Sequence, residues 1–257
     1  MARIFITGSA DGLGQLAAKL LIEKGHKVVL HARNTKRGGE ALKAVPAAEN
    51  VLTGDLSITE ETIKLADQAN SLSAFDAVIH NAGVYRDSGN DIFNVNTLAP
   101  YILTCLIQKP KRLIYLTSGM HLHGHSKLES FKSDRRDITY SDSKLHDMML
   151  CLAVARRWPD IYSNAVNPGW VPTKMGGPGA PDNLQKGYET QVWLAVSNDE
   201  KAKVTGQYFY HQKARPCNPE AEDVIRQDKF LAVCEEITGI PFPFHPTFPL
   251  DLEKKQG

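Results

Sequence analysis

The octet Thr7-Gly8-Ser9-Ala10-Asp11-Gly12-Leu13-Gly14 decides the fold. It follows an apolar run at 3–7, which reads as a short buried strand. It opens an amphipathic stretch at 13–24, which reads as a helix stopped by Gly25. In that setting the glycines let the backbone approach a pyrophosphate, and the free N–H groups and positive dipole end of the helix attract its charge. The spacing Thr-Gly-x-x-x-Gly-x-Gly is more specific than a bare glycine pattern. A tight turn that merely needs three glycines is the alternative.

Outward from the octet the same rhythm repeats. Strands are expected at 27–31, 51–53, 76–80, 112–117, 161–166 and 207–210. Helices are expected from 59, around 92–107, and at 139–158, 184–196 and 219–237. Strands rich in Val, Ile and Phe without polar alternation suit a parallel sheet covered on both faces. The alternation implies a single doubly wound Rossmann-type α/β domain, with a mostly parallel sheet of about seven strands and helices on both faces. That domain is expected over 1–239, followed by an extended or frayed tail at 240–257. The polar stretch 121–137 and the Gly/Pro-rich stretch 168–181 interrupt the rhythm.

Composition removes several classes of function. The formal net charge of +1 argues against a general attraction to nucleic acid or an anionic membrane. Cys105, Cys151, Cys217 and Cys234 form no C-x-x-C pair and read as reduced thiols, with no metal site. His121, His123 and His125 alternate, but no cysteine or carboxylate completes a ligand set, so a solvated or pocket-lining loop is expected. No apolar run approaches the ~20 residues that cross a bilayer, and the chain enters its first strand at once. A cytoplasmic protein with no membrane anchor is the expectation.

Enzymes that bind NAD hold the ribose 2′-hydroxyl with an acidic residue near the end of the second strand. Here Val28-Val29-Leu30-His31-Ala32-Arg33-Asn34 carries none. Arg33, beside Asn34, suits a 2′-phosphate, and Lys36 and Arg37 add charge. NADP(H) is therefore favoured over NAD(H), with a solvated basic loop as the alternative. Asp55, followed by Leu56, is placed to accept a hydrogen bond from the adenine amino group, and Asn81-Ala82-Gly83 ends the fourth strand where the cofactor would lie.

Hydride transfer to a carbonyl needs a proton donor at its oxygen. Tyr140 and Lys144 lie four residues apart on one expected helix and share a face. A nearby ammonium favours the phenolate and makes the hydroxyl a better proton-transfer group. Ser118 ends the fifth strand, at the carboxyl rim where α/β sites form. Alone, Tyr-x-x-x-Lys is a common pattern on helix surfaces; the combination is what counts.

Taken together, Thr7–Gly14, Asn81-Ala82-Gly83, Ser118, Tyr140 with Lys144, and Asn167-Pro168-Gly169 resemble the short-chain dehydrogenase/reductase family, from about Arg3 to Gly239. The resemblance implies that Tyr140 is the acid/base, that Ser118 orients the substrate oxygen, and that Lys144 lowers the tyrosine pKa and binds the nicotinamide ribose. Asn96 would hold a proton-relay water, Asn94 being the nearer competitor. Pro168, Gly169, Val171 and Thr173 match the segment that grips the nicotinamide carboxamide. The cofactor set would comprise Thr7, Gly8, Ser9, Asp11, Gly12, Leu13, Gly14, Arg33, Asn34, Asp55, Leu56, Asn81, Ala82 and Gly83, with Tyr140 and Lys144.

A small-molecule carbonyl or alcohol is the implied substrate, and a homodimer or homotetramer built on the helices bearing Asn96 and Tyr140 the implied assembly. Trp170, Met175 and Leu184 are candidate walls for an apolar substrate, core packing being the alternative. The long stretch between Ser118 and Tyr140 is similar to retinol-dehydrogenase-like members. A catalytically silent NADP(H)-binding regulator is the alternative function.

Overall fold

A computed structural model describes residues 1–133 and 135–243. Among the described residues eight strands form one sheet: β1 (Arg3–Ile6), β2 (Lys27–Ala32), β3 (Asn50–Thr53), β4 (Ala77–His80), β5 (Arg112–Leu116), β6 (Tyr162–Asn167), β7 (Gln207–Tyr210) and β8 (Lys213–Arg215). Their spatial order is β3-β2-β1-β4-β5-β6-β7-β8. The first seven run parallel, with Ile6 of β1 between Leu30 and Ile79. The strand order reverses between β1 and β4, which leaves a crevice at the carboxyl ends of those two strands.

Nine helices flank the sheet among the described residues: α1 (Gly12–Glu23), α2 (Thr35–Ala44), α3 (Thr59–Ser71), α4 (Gly89–Phe93), α5 (Ala99–Leu106), α6 (Tyr140–Arg157), α7 (Leu184–Val196), α8 (Pro219–Glu222) and α9 (Val224–Thr238). Successive strand residues face opposite sides, so the sheet buries two apolar layers. Ile4 and Ile6 join Leu21, Ile79 and Val192 under α1 and α7. Phe5 joins Tyr101, Phe131, Met148 and Phe230 under α3, α5, α6 and α9.

Four elements depart from the sequence reading. The first is α2, which the apolar pattern did not show. It forms because the Asn34 side chain caps it, accepting from Arg37 N–H at 3.0 Å, and because Gly38 lets it sit close to β3. The helix expected around 92–107 is instead α4, a π turn at Asn94–Leu98, and α5. The one expected at 219–237 breaks at Asp223, whose carboxylate accepts from Ile225 and Arg226 N–H and so starts α9. The antiparallel edge strand β8 is additional, reached through His211 and Gln212, both at positive φ as a tight hairpin turn requires.

The start of the tail is packed rather than frayed. Gly239, at φ +69°, closes α9 in the left-handed region. Tyr101 Oη donates to Ile240 O at 2.7 Å, and Trp158 Nε1 donates to Pro243 O at 3.0 Å. Phe242 is buried and stacks on Trp158, with ring centroids 5.0 Å apart. Residues 244–257 of the expected tail lie outside the described residues. Upstream, Phe230 of α9 packs against Phe131 and His146. The chain's own C-terminal segment thereby packs against α5 at Tyr101 and against α6 at His146 and the adjoining Trp158. Among the described residues no helix is long and apolar enough to cross a membrane.

Candidate active site

The glycine-rich turn is held by the strands on either side of it. Asn81, just past β4, donates its side-chain N–H groups to Thr7 O at 2.9 Å and Gly8 O at 3.1 Å. The Thr7 hydroxyl accepts from Asn81 and Ala82 N–H. A Cβ on Gly8 would lie 2.7 Å from Ala82 Cα, and one on Gly14 would lie 2.5 Å from Asn81 Nδ2. Gly8 and Gly12 sit at φ +62° and +57°, so the turn needs glycine on both counts. Ser9 is buried and donates to Ile6 O.

His31, unremarked in the sequence as a site residue, closes the floor of this turn. Its Nδ1 accepts from Gly8 N–H at 2.9 Å, so Nε2 carries the proton and donates to Gly54 O at 2.9 Å. Burial pushes its pKa down to about 4, keeping the ring neutral. Above the floor, the N-terminus of α1 has no side-chain cap: Asp11 stands at the N-cap but turns away. Its carboxylate instead accepts from Arg37 Nη2 at 2.5 Å and from Lys174 Nζ at 3.0 Å. Burial works against the Asp11 charge, but Lys174 and Arg37 outweigh it and keep the acid below its ordinary range.

Beyond β2 the basic side chains are held in two different ways. The Arg33 side chain is 72% exposed and lies 4.0 Å from Asp55 Oδ2. Asp55 spends its other oxygen on Ser57 N–H and hydroxyl, at 3.0 and 2.7 Å, in the turn that leads into α3. Leu56 is buried. Asn34 serves as the cap of α2, which brings Arg37 over the glycine turn. A long-range ion pair selected that arginine, and spacing alone could not.

At the other end of the crevice lies the group with acid–base chemistry. Thr139 and Asp142 form a reciprocal capping box that starts α6 at Tyr140. The Tyr140 ring meets Tyr85 edge-on, with centroids 4.8 Å apart. One turn further, Lys144 Nζ lies 5.5 Å from the Tyr140 ring centroid. It donates to Leu116 O at 2.7 Å and to Asp147 Oδ2 at 2.8 Å. Thr117 Oγ1 donates to Lys144 O, tying the end of β5 to α6.

The π turn brings Asn96 to the same place. Its Oδ1 accepts from Val84 N–H, and its Nδ2 donates to Val84 O and Ser143 Oγ. Between Asn96 and Lys144 sits Gly83, where a Cβ would be 3.4 Å from Asn96 Oδ1 and 3.5 Å from Lys144 Nζ. Asn94 points elsewhere, donating to Ser57 O.

Ser118 caps a short 3₁₀ turn at Gly119–His123, its hydroxyl accepting from Met120 N–H. His121 is buried rather than solvated, and its tautomer is fixed. Asn218 N–H donates to Nε2 at 3.3 Å, so Nδ1 donates to Ser118 O at 2.6 Å. His123 and His125 are exposed, the latter beside Glu220.

Past β6, Gly169 at φ +83° turns the chain against Asp182, whose carboxylate accepts from Trp170 N–H. Val171 is buried, and the Thr173 hydroxyl accepts from Gly176 N–H. Pro168 O lies near Gly187, as does Leu13, so the loop rests on α7 next to the start of α1. Met120, Leu122, Trp170 and Met175 are exposed apolar side chains on the two loops flanking the site, and Leu184 is half-buried.

An α/β crevice at a strand-order reversal, floored by a glycine turn and flanked by a Tyr-Lys pair, defines a nucleotide-dependent oxidoreductase. The short chain dehydrogenase family model matches residues 2–183. The chain is 45% identical to an uncharacterized oxidoreductase of Emericella nidulans, over 95% of this chain and 99% of that one. It is 27% identical to retinol dehydrogenase 14 of Mus musculus, over 92% and 86%. An uncharacterized protein of Mycobacterium paratuberculosis has the same fold, with a TM-score of 0.81 at 21% identity over 95% of this chain and 96% of that one. A short chain dehydrogenase of Shigella flexneri complexed with NADP superposes with a TM-score of 0.64 at 21% identity, over 82% and 97%. The chain belongs to the short-chain dehydrogenase family and is an oxidoreductase.

Proposed function

We propose that this chain is an NADP(H)-dependent carbonyl reductase or alcohol dehydrogenase acting on a small molecule, with residues 1–239 as the catalytic unit. The observation that carries the reading is Lys144 Nζ 5.5 Å from the Tyr140 ring, at the same sheet edge as the glycine turn. The residues present fit a dinucleotide. Gly8 and Gly14 let the turn close against Ala82 and Asn81, where a Cβ would lie 2.7 Å and 2.5 Å away respectively, and the N-terminal N–H groups of α1 have no side-chain cap.

When bound, the cofactor supplies or accepts the hydride at its nicotinamide ring. The protein's part is the proton and the alignment. Tyr140 donates its hydroxyl proton to the carbonyl oxygen, or accepts the alcohol proton in the reverse direction. Ser118 hydrogen-bonds that oxygen, and His121 and Asn218 fix the turn that carries Ser118. The Lys144 ammonium stabilises the negative charge that Tyr140 bears after giving up its proton. Val171 and Thr173 would hold the nicotinamide carboxamide, as the family resemblance implies. Arg33, Lys36 and Arg37 favour NADP(H), as the complex of the Shigella flexneri relative with NADP also supports.

The test is oxidation of NADPH and NADH, followed by loss of the reduced-nicotinamide absorbance, with aldehydes, ketones, quinones and retinal. Turnover with NADPH is the expected result. Saturable NADPH binding with no turnover across the panel would replace this reading with a nucleotide-binding regulator.

On α5 and α6, which the family resemblance offers for self-association, α9 and residues 240–243 pack against Tyr101, His146 and the adjoining Trp158. A monomer of 28.4 kDa in sedimentation is therefore expected, and a concentration-independent dimer would overturn that reading.

A further inference from the structure

Asp147 has no place in the proposed mechanism. Yet it is a carboxylate only 4% exposed, one turn beyond Lys144 on α6. Lys144 is itself 4% exposed and gives one N–H to Asp147 Oδ2 at 2.8 Å and another to Leu116 O at 2.7 Å. Two of its three protons are thus committed to these acceptors, which fixes the ammonium near Gly83 and the Tyr140 ring. Neither residue is reached by bulk water, and an unpaired charge in such a place is costly.

Burial also pushes Asp147 itself up to about 6, so its carboxylate is charged near pH 7, and the other titratable groups that face the pair supply no compensating charge. Tyr115, on β5, faces Asp147, and burial pushes its phenol well up. Cys151, one turn along α6, is pushed up to about 12 by burial. His80 on β4 stacks on Tyr115 at 4.8 Å, and burial pushes it down to about 3. All three are neutral near pH 7. Tyr140 faces the lysine from the crevice side. Burial works against the Lys144 ammonium, and the Asp147 carboxylate, followed by Tyr140, outweighs it.

We propose that Asp147 is a positioning residue of this site: a buried counter-ion that holds the Lys144 ammonium charged and fixed beside Tyr140. The inference rests on the catalytic reading of Tyr140 and Lys144 for its functional meaning, but its physical content does not. Without the carboxylate, burial acts on Lys144 almost unopposed, and a lysine so placed gives up its proton in the neutral to mildly alkaline range. Part of the population would then present an uncharged amine to Tyr140 and to the cofactor ribose.

The experiment is a pH titration of lysine ¹³Cε shifts by NMR in the full chain, with the Lys144 signal assigned by its disappearance in Lys144→Met. In the wild type, Lys144 is expected to stay protonated to at least the ordinary lysine range. In Asp147→Asn, which keeps an acceptor at the same place, the midpoint falls by roughly two units or more, the size that burial of an unpaired lysine produces. Asp147→Glu, which keeps the charge, restores the wild-type midpoint. Unchanged titration in Asp147→Asn overturns the proposal. So does a wild-type Lys144 that titrates below the ordinary lysine range, a result that needs no variant to fold.

Turnover is read separately. Asp147→Asn should lose about tenfold in kcat on raising the pH by one unit past the new midpoint, where the wild type is flat. A merely structural loss would be the same at every pH. A lysine shift in a protein without any turnover would leave the counter-ion standing and remove the catalytic reading. Normal turnover with an unchanged lysine would do the reverse.

Discussion

Tyr140→Phe is expected to lower kcat by roughly 10²- to 10⁴-fold, the range that a positioned proton donor contributes. NADPH affinity should change by less than about threefold, because the substitution removes one hydroxyl and leaves the ring. The backbone beneath the ring has several independent supports. Thr139 N–H donates to Asp142 Oδ2 at 2.8 Å, and Asp142 N–H donates to the Thr139 hydroxyl. Asp142 also accepts from His125 N–H at 2.8 Å and lies 3.0 Å from Lys127 Nζ. The edge-on contact with Tyr85 needs only the aromatic ring. Steady-state rates, with cofactor binding followed by fluorescence, separate the two effects. Turnover close to the wild-type value would mean that the proton comes from elsewhere, and the role given to Tyr140 would fall.

The second large effect concerns the choice of cofactor. Arg33→Ala combined with Arg37→Ala should raise the Kd for NADPH by roughly 10²-fold. That corresponds to two charge-assisted hydrogen bonds, discounted for solvent screening. The Kd for NADH should move by less than about threefold, since it has no 2′-phosphate to lose. Arg33 is free to swing, being largely exposed and 4.0 Å from Asp55. Arg37 is the more constrained of the two: Asp11 and Glu40 hold it at the mouth of the glycine turn. The preference should also weaken with added salt, as exposed charges are screened over about 10 Å at 0.1 M. Titration of both cofactors at two ionic strengths tests both statements. Equal weakening of NADPH and NADH would remove the case for a 2′-phosphate contact.

Much of this arrangement was legible in the chain because it is local. The glycine turn, the strand before it and the helix after it occupy consecutive residues, and Tyr140 and Lys144 share a helix face by spacing alone. What escaped has long-range causes. The sequence Thr35-Lys36-Arg37-Gly38-Gly39 lacks an apolar stripe, and α2 forms there because Asn34 caps it and β3 receives it. The π turn at Asn94–Leu98 inserts one residue into an otherwise regular apolar pattern, and periodicity cannot register that.

The partners of the site lie far apart in sequence. Lys174 meets Asp11, Asn218 meets His121, and His31 meets Gly8 and Gly54. Only the folded sheet brings them together. Asp147 was in plain view at a helical spacing from Lys144, but nothing in one sequence distinguishes a buried carboxylate from one on a solvated face. The edge strand β8 carries Lys213, Ala214 and Arg215, all exposed, and has no apolar signal to betray it.

The C-terminal segment laid over α5 and α6 has a consequence for how the protein behaves when diluted. Every group assigned to the reaction lies on this chain, and α9 with residues 240–243 already packs against Tyr101, His146 and Trp158, on or beside α5 and α6. Specific activity should hold constant down to nanomolar protein, and initial rates should follow simple hyperbolic saturation without cooperativity between sites. Control of such a catalyst would fall to its amount and to the ratio of reduced to oxidised cofactor.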